Sequence, residues 1–350
     1  MRARGFSLVE FMIAMTIGLF LIAGLVYLLV ETSRSRAEIE RSSRQIENGR
    51  YAIDRLSEDL RHAGFFSEYF SVPGPTESGF PGTSTVAAPC AKTIAALATG
   101  MPLAVQAYNS GGSTLHSDLS CISAADYQPD TDILVIRRAS TSSVAKSSTL
   151  VANQAYIQTT PPAYKLEIGA NKATEFTLTL PTTNTTATMD APLHRYIVRI
   201  YFVSKCNVPA SGATCNGVSD DGGTPIPTLK MLELGVDSSG AGPEFQKLAI
   251  AEGIEHLRFD FGVDTDSDGV ANSFVRCDDT ASPCTTAQLG NVVAAQVYLV
   301  ARNTERSPGY ADDKTYNLGV KGYTNATNDP YRRHAYSMFV RLNNIAMRRE

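Results

Sequence analysis

Three aspartates at alternate positions form the clearest ligand set in this sequence of 350 residues. Asp264, Asp266 and Asp268 precede Gly269, so three side-chain oxygens can converge on one hard cation while the glycine permits a sharp turn. Carboxylates this close together repel one another, and a cation would relieve the repulsion. The spacing therefore predicts a calcium site.

The later positions of this loop depart from a complete calcium loop. Asn272 could ligate directly or through water, but Val275 stands where a bidentate glutamate is usual. Asp278 or Asp279 could close the shell instead. A solvated Asp/Gly turn without metal, or a site for another metal, stays open as an alternative. If calcium binds, we expect it to stabilise the fold rather than to catalyse a reaction.

Six cysteines, an even number, favour disulfides in an oxidising compartment. Short separations favour the pairs Cys206–Cys215 and Cys277–Cys284, which leaves Cys90–Cys121. Each pair closes a loop rich in Ser, Gly or Asp, where a cross-link reduces flexibility. Zinc is the weaker alternative, because the sequence has no C-x₂-C pair and no nearby pair of histidines.

Glu10 is the single ionisable residue between Phe6 and Val30. As a helix this apolar run spans roughly 37 Å, enough to cross a bilayer. Arg2 and Arg4 precede it, which favours a cytoplasmic N-terminus with the rest of the chain on the far side. A carboxylate inside an apolar helix is costly, so we expect Glu10 to have a compensating partner.

A cut after Gly5 would supply that partner, because the new α-amino group of Phe6 would lie one helical turn from Glu10. The same amine on a neighbouring copy could pair with Glu10 and set the register between helices. The run Gly5-Phe6-Ser7-Leu8-Val9-Glu10 resembles the cleavage and methylation motif of type IV pilins and pseudopilins. The resemblance implies that prepilin peptidase cuts after Gly5 and methylates Phe6. An uncleaved membrane anchor is the alternative.

Apolar residues recur at helical spacing beyond the membrane segment, at Ala37, Ile39, Ile46, Ala52, Ile53, Leu56 and Leu60. No proline precedes Pro73, and Gly49 weakens the run by about 1 kcal/mol without ending it. With Gly64 as the stop, we predict one helix from Phe6 to about His62.

The run from Tyr51 to Phe66 and the run from Tyr331 to His334 resemble PilW-type minor pilins, and this resemblance implies a helix packed on a sheet. The predicted organisation is a leader at 1–5, a transmembrane or filament-core helix at 6–30, the amphipathic half of that helix at 31–64, and a globular β-rich head at 65–350.

Short apolar or alternating runs predict strands in this head. The fold class we predict is α+β, pilin-like, with a long N-terminal α-helix on an antiparallel β-sheet and large loop insertions at 67–130 and 205–228. The predicted strands are Ile133–Ile136, Phe176–Leu180, Tyr196–Val203, Leu229–Leu234, Ile254–Phe261, Val292–Val300 and Tyr336–Leu342.

Composition and missing motifs exclude several function classes. The net charge of −4 argues against a protein whose primary ligand is nucleic acid. The sequence has no phosphate-binding loop, no G-x-S-x-G elbow and no H-E-x-x-H motif, and its five histidines are scattered. We therefore predict that the protein is not an enzyme.

The resemblance to PilW-type proteins implies a minor pilin. Such a protein starts in the inner membrane with its head in the periplasm, and then moves into a pilus on the cell surface. Its expected partners are prepilin peptidase, the inner-membrane assembly platform, and other minor and major pilins, with which it would prime assembly near the tip. A minor pseudopilin of type II secretion shares this N-terminus, and a pilus-delivered tip adhesin would explain the insertions.

Overall fold

A single helix of 55 residues dominates the N-terminal part of the chain. The computed structural model describes residues 7–69, 88–109, 115–181, 188–277, 284–319, 323–324 and 328–348. The helix, α1, runs from Leu8 to His62 and begins with a capping box, in which Glu10 accepts the Ser7 N–H at 3.0 Å. It ends where Gly64 adopts a φ of +71°, which favours glycine. The predicted helix is confirmed from Leu8 to His62, and its predicted first residue, Phe6, lies outside the described residues.

Two antiparallel sheets form the head. The larger has seven strands in the order β1-β2-β7-β3-β4, with β8 paired to β7 and β9 paired to β8; the smaller has the order β11-β10-β12-β15. The strands are β1 Val105–Asn109, β2 Asp132–Val144, β3 Ala155–Thr160, β4 Ala163–Ile168, β5 Thr179–Pro181, β6 Thr188–Asp190, β7 Leu193–Ser204, β8 Thr228–Val236, β9 Pro243–Glu252, β10 Ile254–Val263, β11 Ser273–Val275, β12 Val292–Arg302, β13 Thr315–Tyr316, β14 Tyr323–Thr324 and β15 Arg333–Arg341.

Short helices and ribbons complete the described part of the head. Strands β5 and β6 form one ribbon, and β13 and β14 form another. The helices are α2 Ile94–Gly100, α3 Lys172–Glu175, α4 Thr286–Gly290 and α5 Asn343–Ala346. With every strand pair antiparallel and one long helix against the sheets, the predicted α+β class is confirmed.

The last turns of α1 pack where the two sheets meet. Ala52, Leu56 and Leu60 are fully buried in one core with apolar residues of both sheets. A second core covers the other face of the seven-stranded sheet. Ile39 and Ile46 belong to the same predicted stripe but are exposed, so the helix docks through its C-terminal third.

One predicted strand is right only at its C-terminal end. Within Phe176–Leu180, Phe176 instead follows α3 and is fully buried, and β5 begins only at Thr179. The buried Gln158 side chain bonds both backbone groups of Leu178, accepting its N–H at 3.0 Å and donating to its carbonyl at 3.1 Å. The Leu178 carbonyl also accepts the Ala191 N–H at 2.9 Å, so it is the Leu178 N–H that is bonded by a side chain instead of by a neighbouring strand.

The predicted insertions contain regular structure. The region 67–130 includes α2 and β1, and β1 pairs with β2 along its whole length. Strands β3, β4 and β9 were not predicted either. Strand β9 exposes four consecutive side chains at the sheet edge, so it lacks the alternation that marks a half-buried strand.

Candidate functional site

The N-terminal half of α1 is an apolar surface without cover from the head. No side chain from Leu8 to Val30 is buried, and Phe20 is 77% exposed. Among the described residues, α1 is the one helix long and apolar enough to cross a membrane. Its hydroxyl groups bond within the helix, Thr16 to the Ile13 carbonyl at 2.8 Å and Thr32 to the Leu28 carbonyl at 2.7 Å. Such a surface suits lipid or other apolar helices.

Glu10 lies on the first turn of this surface and is exposed. Gly5 and Phe6, the predicted cleavage and methylation residues, lie outside the described residues. The described helix begins at Leu8, and its N-cap Ser7 has an extended backbone with a ψ of 143°. In this turn Glu10 accepts the Ser7 N–H, and its pairing with an amine on its own or a neighbouring helix stays a prediction.

A group of ion pairs, which we call the ion-pair collar, joins Glu38 and Arg41 of α1 to the head where the helix emerges from it. Arg332 donates through Nε to Glu38, and the Ser307 hydroxyl donates to the same carboxylate at 2.9 Å. Arg41 pairs with Glu305, with 2.9 Å between Nε and Oε2. Partial burial opposes ionisation of Glu38, but Ser307 and Arg332 outweigh it and hold its pKa below the usual value. Surface pairs of this kind add little stability.

One polar side chain and one glycine fasten the next turns of α1 to the head. Gln45 is buried and donates to the Ala301 carbonyl at 2.7 Å and to the Arg332 carbonyl at 3.0 Å. A Cβ on Gly49 would lie 2.3 Å from Cε2 of Tyr336, so the absence of a side chain permits this close approach. From the sequence alone Gly49 is only a weakness of the helix, and its role in packing depends on Tyr336, which is far along the chain.

Asp59 fastens the end of α1 to the seven-stranded sheet. Its carboxylate is fully buried and accepts from Nη1 of Arg199 at 2.6 and 2.8 Å and from Nη2 of Arg138 at 3.2 Å. The Tyr201 hydroxyl also donates to it. Glu233 extends this Asp59 cluster, because it accepts from Nε of Arg199 at 2.7 Å.

Charge complementarity controls the ionisation of this cluster. Burial alone would raise the pKa of Asp59, but the hydrogen bonds and charge of Arg199 and the Tyr201 hydrogen bond hold it below the usual value. Burial, together with the neighbouring Asp59, raises the pKa of the Tyr201 phenol. Asp59 is therefore a carboxylate that needs its cationic partners. Sequence reasoning missed it because its partners come from β2 and β7, far along the chain.

The structure contains three disulfides, Cys90–Cys121, Cys206–Cys215 and Cys277–Cys284, the pairs that the sequence separations favour.

The insertion at 205–228 is further ordered by two adjacent carboxylates. Asp220 accepts backbone N–H groups of Ala210, Asn216 and Gly217 at 2.6–2.9 Å. Asp221 accepts those of Asn207, Val208 and Ile226 at 2.6–3.0 Å. This insertion is therefore an internally bonded loop.

The acidic loop brings its three predicted aspartates together. One carboxylate oxygen from each of Asp264, Asp266 and Asp268 lies within 4.8 Å of the others. Asp264 is buried and accepts the N–H groups of Asp266, Ser267 and Gly269 at 2.7–3.2 Å. Gly269 has a φ of +77°, as a sharp turn requires.

Asn272, the fourth predicted ligand, forms hydrogen bonds within the loop. Asn272 accepts the Thr265 N–H at 2.6 Å and donates to Asp266 at 3.1 Å, so it braces the loop. Val275 lies on β11, and Asp278 and Asp279 lie outside the described residues. The described donor set for a hard cation is thus the three aspartates, and calcium binding stays a prediction.

Comparison with known proteins gives two matches at opposite ends of the chain. The Type IV Pilus-assembly protein W family model matches residues 216–344, and the Prokaryotic N-terminal methylation motif matches residues 1–26. A solved type IV-like pilin from Thermus thermophilus is similar over 56% of this chain and 88% of that chain, with 13% identity and a TM-score of 0.21. No curated protein matches.

The two sequence matches fall on the parts that form the site. The methylation motif includes Glu10 and most of the exposed apolar half of α1. The longer match contains β10, β12 and β15, and Ala301, Arg332 and Tyr336 within this match contact α1. One match therefore covers the apolar part of the long helix, and the other covers the sheet on which the helix packs.

Proposed function

We propose that this type IV pilin-like minor pilin, identified by its methylation motif and its pilus-assembly protein W match, helps to prime type IV pilus assembly at or near the tip. The observation that carries the proposal is the division of α1 into an exposed apolar half and a half locked into the head. An apolar helix that is fixed rigidly to a folded head can leave the membrane and pack into a bundle with the apolar helices of other subunits. The role is structural and needs no catalytic residue.

In the first stage the chain is a membrane protein. Leu8 to Val30 would span about 34 Å as a helix, close to the thickness of a hydrocarbon core. Arg2 and Arg4 would hold the N-terminus in the cytoplasm, with the head in the periplasm of the inner membrane. Prepilin peptidase would cut after Gly5 and methylate Phe6. The disulfides suit an oxidising periplasm.

In the second stage the assembly platform would draw the helix into a filament. Positions such as Ile13, Ile17, Leu21 and Leu25 would pack on helices of other minor pilins and of the major pilin. Glu10 would pair with an N-terminal amine, so a mispositioned helix would bury an uncompensated charge. Because the Asp59 cluster and Gln45 fix the head to α1, the register of the helix would also position the head.

A deletion strain tests this role. We expect few or no surface pili and normal type II secretion in the same cultures, with pili restored by the wild-type gene. A priming subunit is needed before the filament can grow, which is why its loss should reduce pilus number rather than pilus length alone.

Two outcomes would contradict the priming role. Normal pili with failed secretion would assign the chain to the pseudopilins. Normal pili with normal secretion would make assembly independent of it, and a tip adhesin would then be the better reading.

We also propose that the acidic loop binds calcium as a structural ion. Carboxylate oxygens of Asp264, Asp266 and Asp268 are the ligands that calcium prefers. Calcium at a hundredfold excess over its Kd should add about 2.7 kcal/mol to the free energy of unfolding. We expect thermal unfolding of the full chain to occur at higher temperature in calcium than in EDTA.

The matched controls separate binding from general charge effects. Asp266→Asn combined with Asp268→Asn should abolish the calcium shift, because both side chains are exposed and serve the cluster. Asp313→Asn, an exposed aspartate outside the loop, should leave it intact. Equal unfolding temperatures of the wild type in calcium and EDTA would rule the site out.

A further inference from the structure

A cavity of about 610 Å³ lies between α1 and the head, directly beyond the apolar half of the helix. On α1 its lining begins at Glu31, the first residue after the apolar run, and ends at Arg41. From the head, Ser307, Pro308 and Arg332 line it. When α1 spans a membrane, this cavity lies at the outer surface of the bilayer.

The α1 side of the cavity carries charges of alternating sign. They are Glu31, Arg34, Glu38 and Arg41. Because they follow one another at intervals of three and four residues, they share one face of the helix. The same spacing leads on to Gln45, which donates to the head at 2.7 Å. The helix face that meets the head therefore begins with four charges around the cavity.

Two of these charges are available to a ligand. The ion-pair collar already uses Glu38 and Arg41. Glu31 and Arg34 are exposed and form no ion pair with another described residue. Because they are three residues apart on a helix, their Cβ atoms lie about 5–6 Å from each other, and both side chains can reach one ligand. A carboxylate beside a guanidinium complements a ligand that carries both an ammonium and a phosphate.

The position of these two side chains along α1 matches the headgroup layer of a bilayer. Arg34 lies four residues, or about 6 Å, beyond Val30, where the apolar run ends. The headgroup layer on each side of the hydrocarbon core is about 5–7 Å thick. Helix side chains lean toward the N-terminus, which directs Glu31 and Arg34 toward the membrane. Tyr27, one turn below Glu31 on the same face, is 70% exposed, so apolar surface for acyl chains continues below the cavity.

We propose that this cavity binds the headgroup of a membrane phospholipid that carries a primary ammonium, as phosphatidylethanolamine does. The inference rests on the membrane stage of the proposed function. Arg34 donates to the phosphate and Glu31 accepts from the ammonium, while Ile39 and Pro308 provide apolar walls. The volume suits a small ligand. The lipid would set the depth of α1 in the bilayer and be left behind when the helix moves into a pilus.

The pair of charges also predicts which lipids bind less tightly. A choline headgroup has the same net charge, but its quaternary ammonium has no N–H to donate to Glu31. A glycerol headgroup leaves the phosphate charge uncompensated beside the carboxylates of Glu31 and Glu38. The ethanolamine headgroup satisfies both Glu31 and Arg34.

The test is a lipid titration of the full chain in detergent, read by native mass spectrometry. The three lipids share their acyl chains and carry ethanolamine, choline or glycerol headgroups. We expect one ethanolamine lipid to bind about tenfold more tightly than either of the others, and Arg34→Ala to lose about tenfold in this affinity. Arg36→Ala removes the same charge from the opposite face of α1 and should leave the affinity unchanged. Thermal unfolding of each variant shows that the head remains folded.

Three results would overturn the proposal. The first is no bound lipid, or equal affinity for the three lipids, which would leave the headgroup without a site. The second is tightest binding of the glycerol lipid, which would indicate a cationic surface in which Glu31 has no part. The third is an equal loss for Arg34→Ala and Arg36→Ala, which would indicate a general charge effect.

Cell fractionation distinguishes these results from a failure of the proposed function. A chain that is found in the inner membrane but shows no preference for the ethanolamine lipid overturns the lipid site alone. A chain that is found in no membrane fraction overturns the membrane stage as well.

Discussion

Replacing Asp59 with asparagine is expected to lower the free energy of unfolding of the full chain by about 3–5 kcal/mol. The substitution keeps the size of the side chain but removes the negative charge between Arg199 and Arg138, both largely buried. Two guanidinium groups would then face each other with less compensation in a site shielded from water. In thermal unfolding this corresponds to a midpoint lower by about 10 °C.

Glu58→Gln is the matched control for this change. Glu58 is the preceding residue, is mostly exposed, and pairs with Arg55 one turn away at 3.0 Å. Exposed pairs on one helix contribute only about 0.3–0.5 kcal/mol, so this variant should unfold close to the wild type. Equal midpoints for Asp59→Asn and Glu58→Gln would mean that the Asp59 cluster does not hold α1 to the head.

The stabilisation from Asp59 should also depend on pH. Its pKa in the folded chain is held below the usual aspartate value, mainly because Arg199 and Tyr201 overcome the effect of burial. A carboxyl group with a lowered pKa stabilises the fold above its unfolded pKa, about 3.9, and loses this effect as pH falls through the folded pKa. The difference between wild type and Asp59→Asn should therefore be constant from about pH 5 to 8 and shrink below about pH 4.

The long helix could be predicted from sequence because its signals are local. A run of apolar residues, the absence of proline and the glycine at position 64 act within a few turns. The face that meets the head was harder to predict. Ile39 and Ile46 have the right spacing but stay exposed, because the head meets these turns at their neighbours Glu38 and Gln45.

The sheets could be predicted where strands are buried on both faces and rich in branched residues, as in β7 and β10. The division of the strands between two sheets could not be predicted, because it depends on pairing between segments that are far apart in the sequence. The error at Phe176 has the same origin, since the Leu178 N–H is bonded by the side chain of the distant Gln158 and not by a strand. Alternation alone cannot distinguish a strand from a loop bonded in this way.

Residues of the candidate site could be predicted where a side chain is unusual for the sequence around it. Glu10 stands out because it is a lone charge in an apolar run, and the three aspartates stand out by their spacing. Asp59 and Gly49 do not, since a charge or a glycine on an amphipathic helix is ordinary. Their importance lies in Arg199 and Tyr336, which only the folded chain brings to them.

Replacing Glu10 is expected to block incorporation into pili while leaving cleavage after Gly5 largely intact. Glu10→Ala also removes the acceptor that caps the Ser7 N–H, so it changes two properties at once. Glu10→Gln retains a capping acceptor and loses only the charge. If pairing with an N-terminal amine sets the register, both variants should fall at least about tenfold in the pilus fraction, equivalent to about 1.4 kcal/mol.

The most direct measurement is the amount of each variant in sheared pili, with its N-terminus read by mass spectrometry. Glu31→Ala, an exposed glutamate on α1 just beyond the apolar run, is the control. We predict wild type and Glu31→Ala in the pili, beginning at methylated Phe6, and both Glu10 variants cleaved but retained in the membrane. Glu10→Gln at the wild-type level in pili would contradict charge pairing, and wild-type chain found only in the membrane with Met1 intact would contradict the assignment to the pilus.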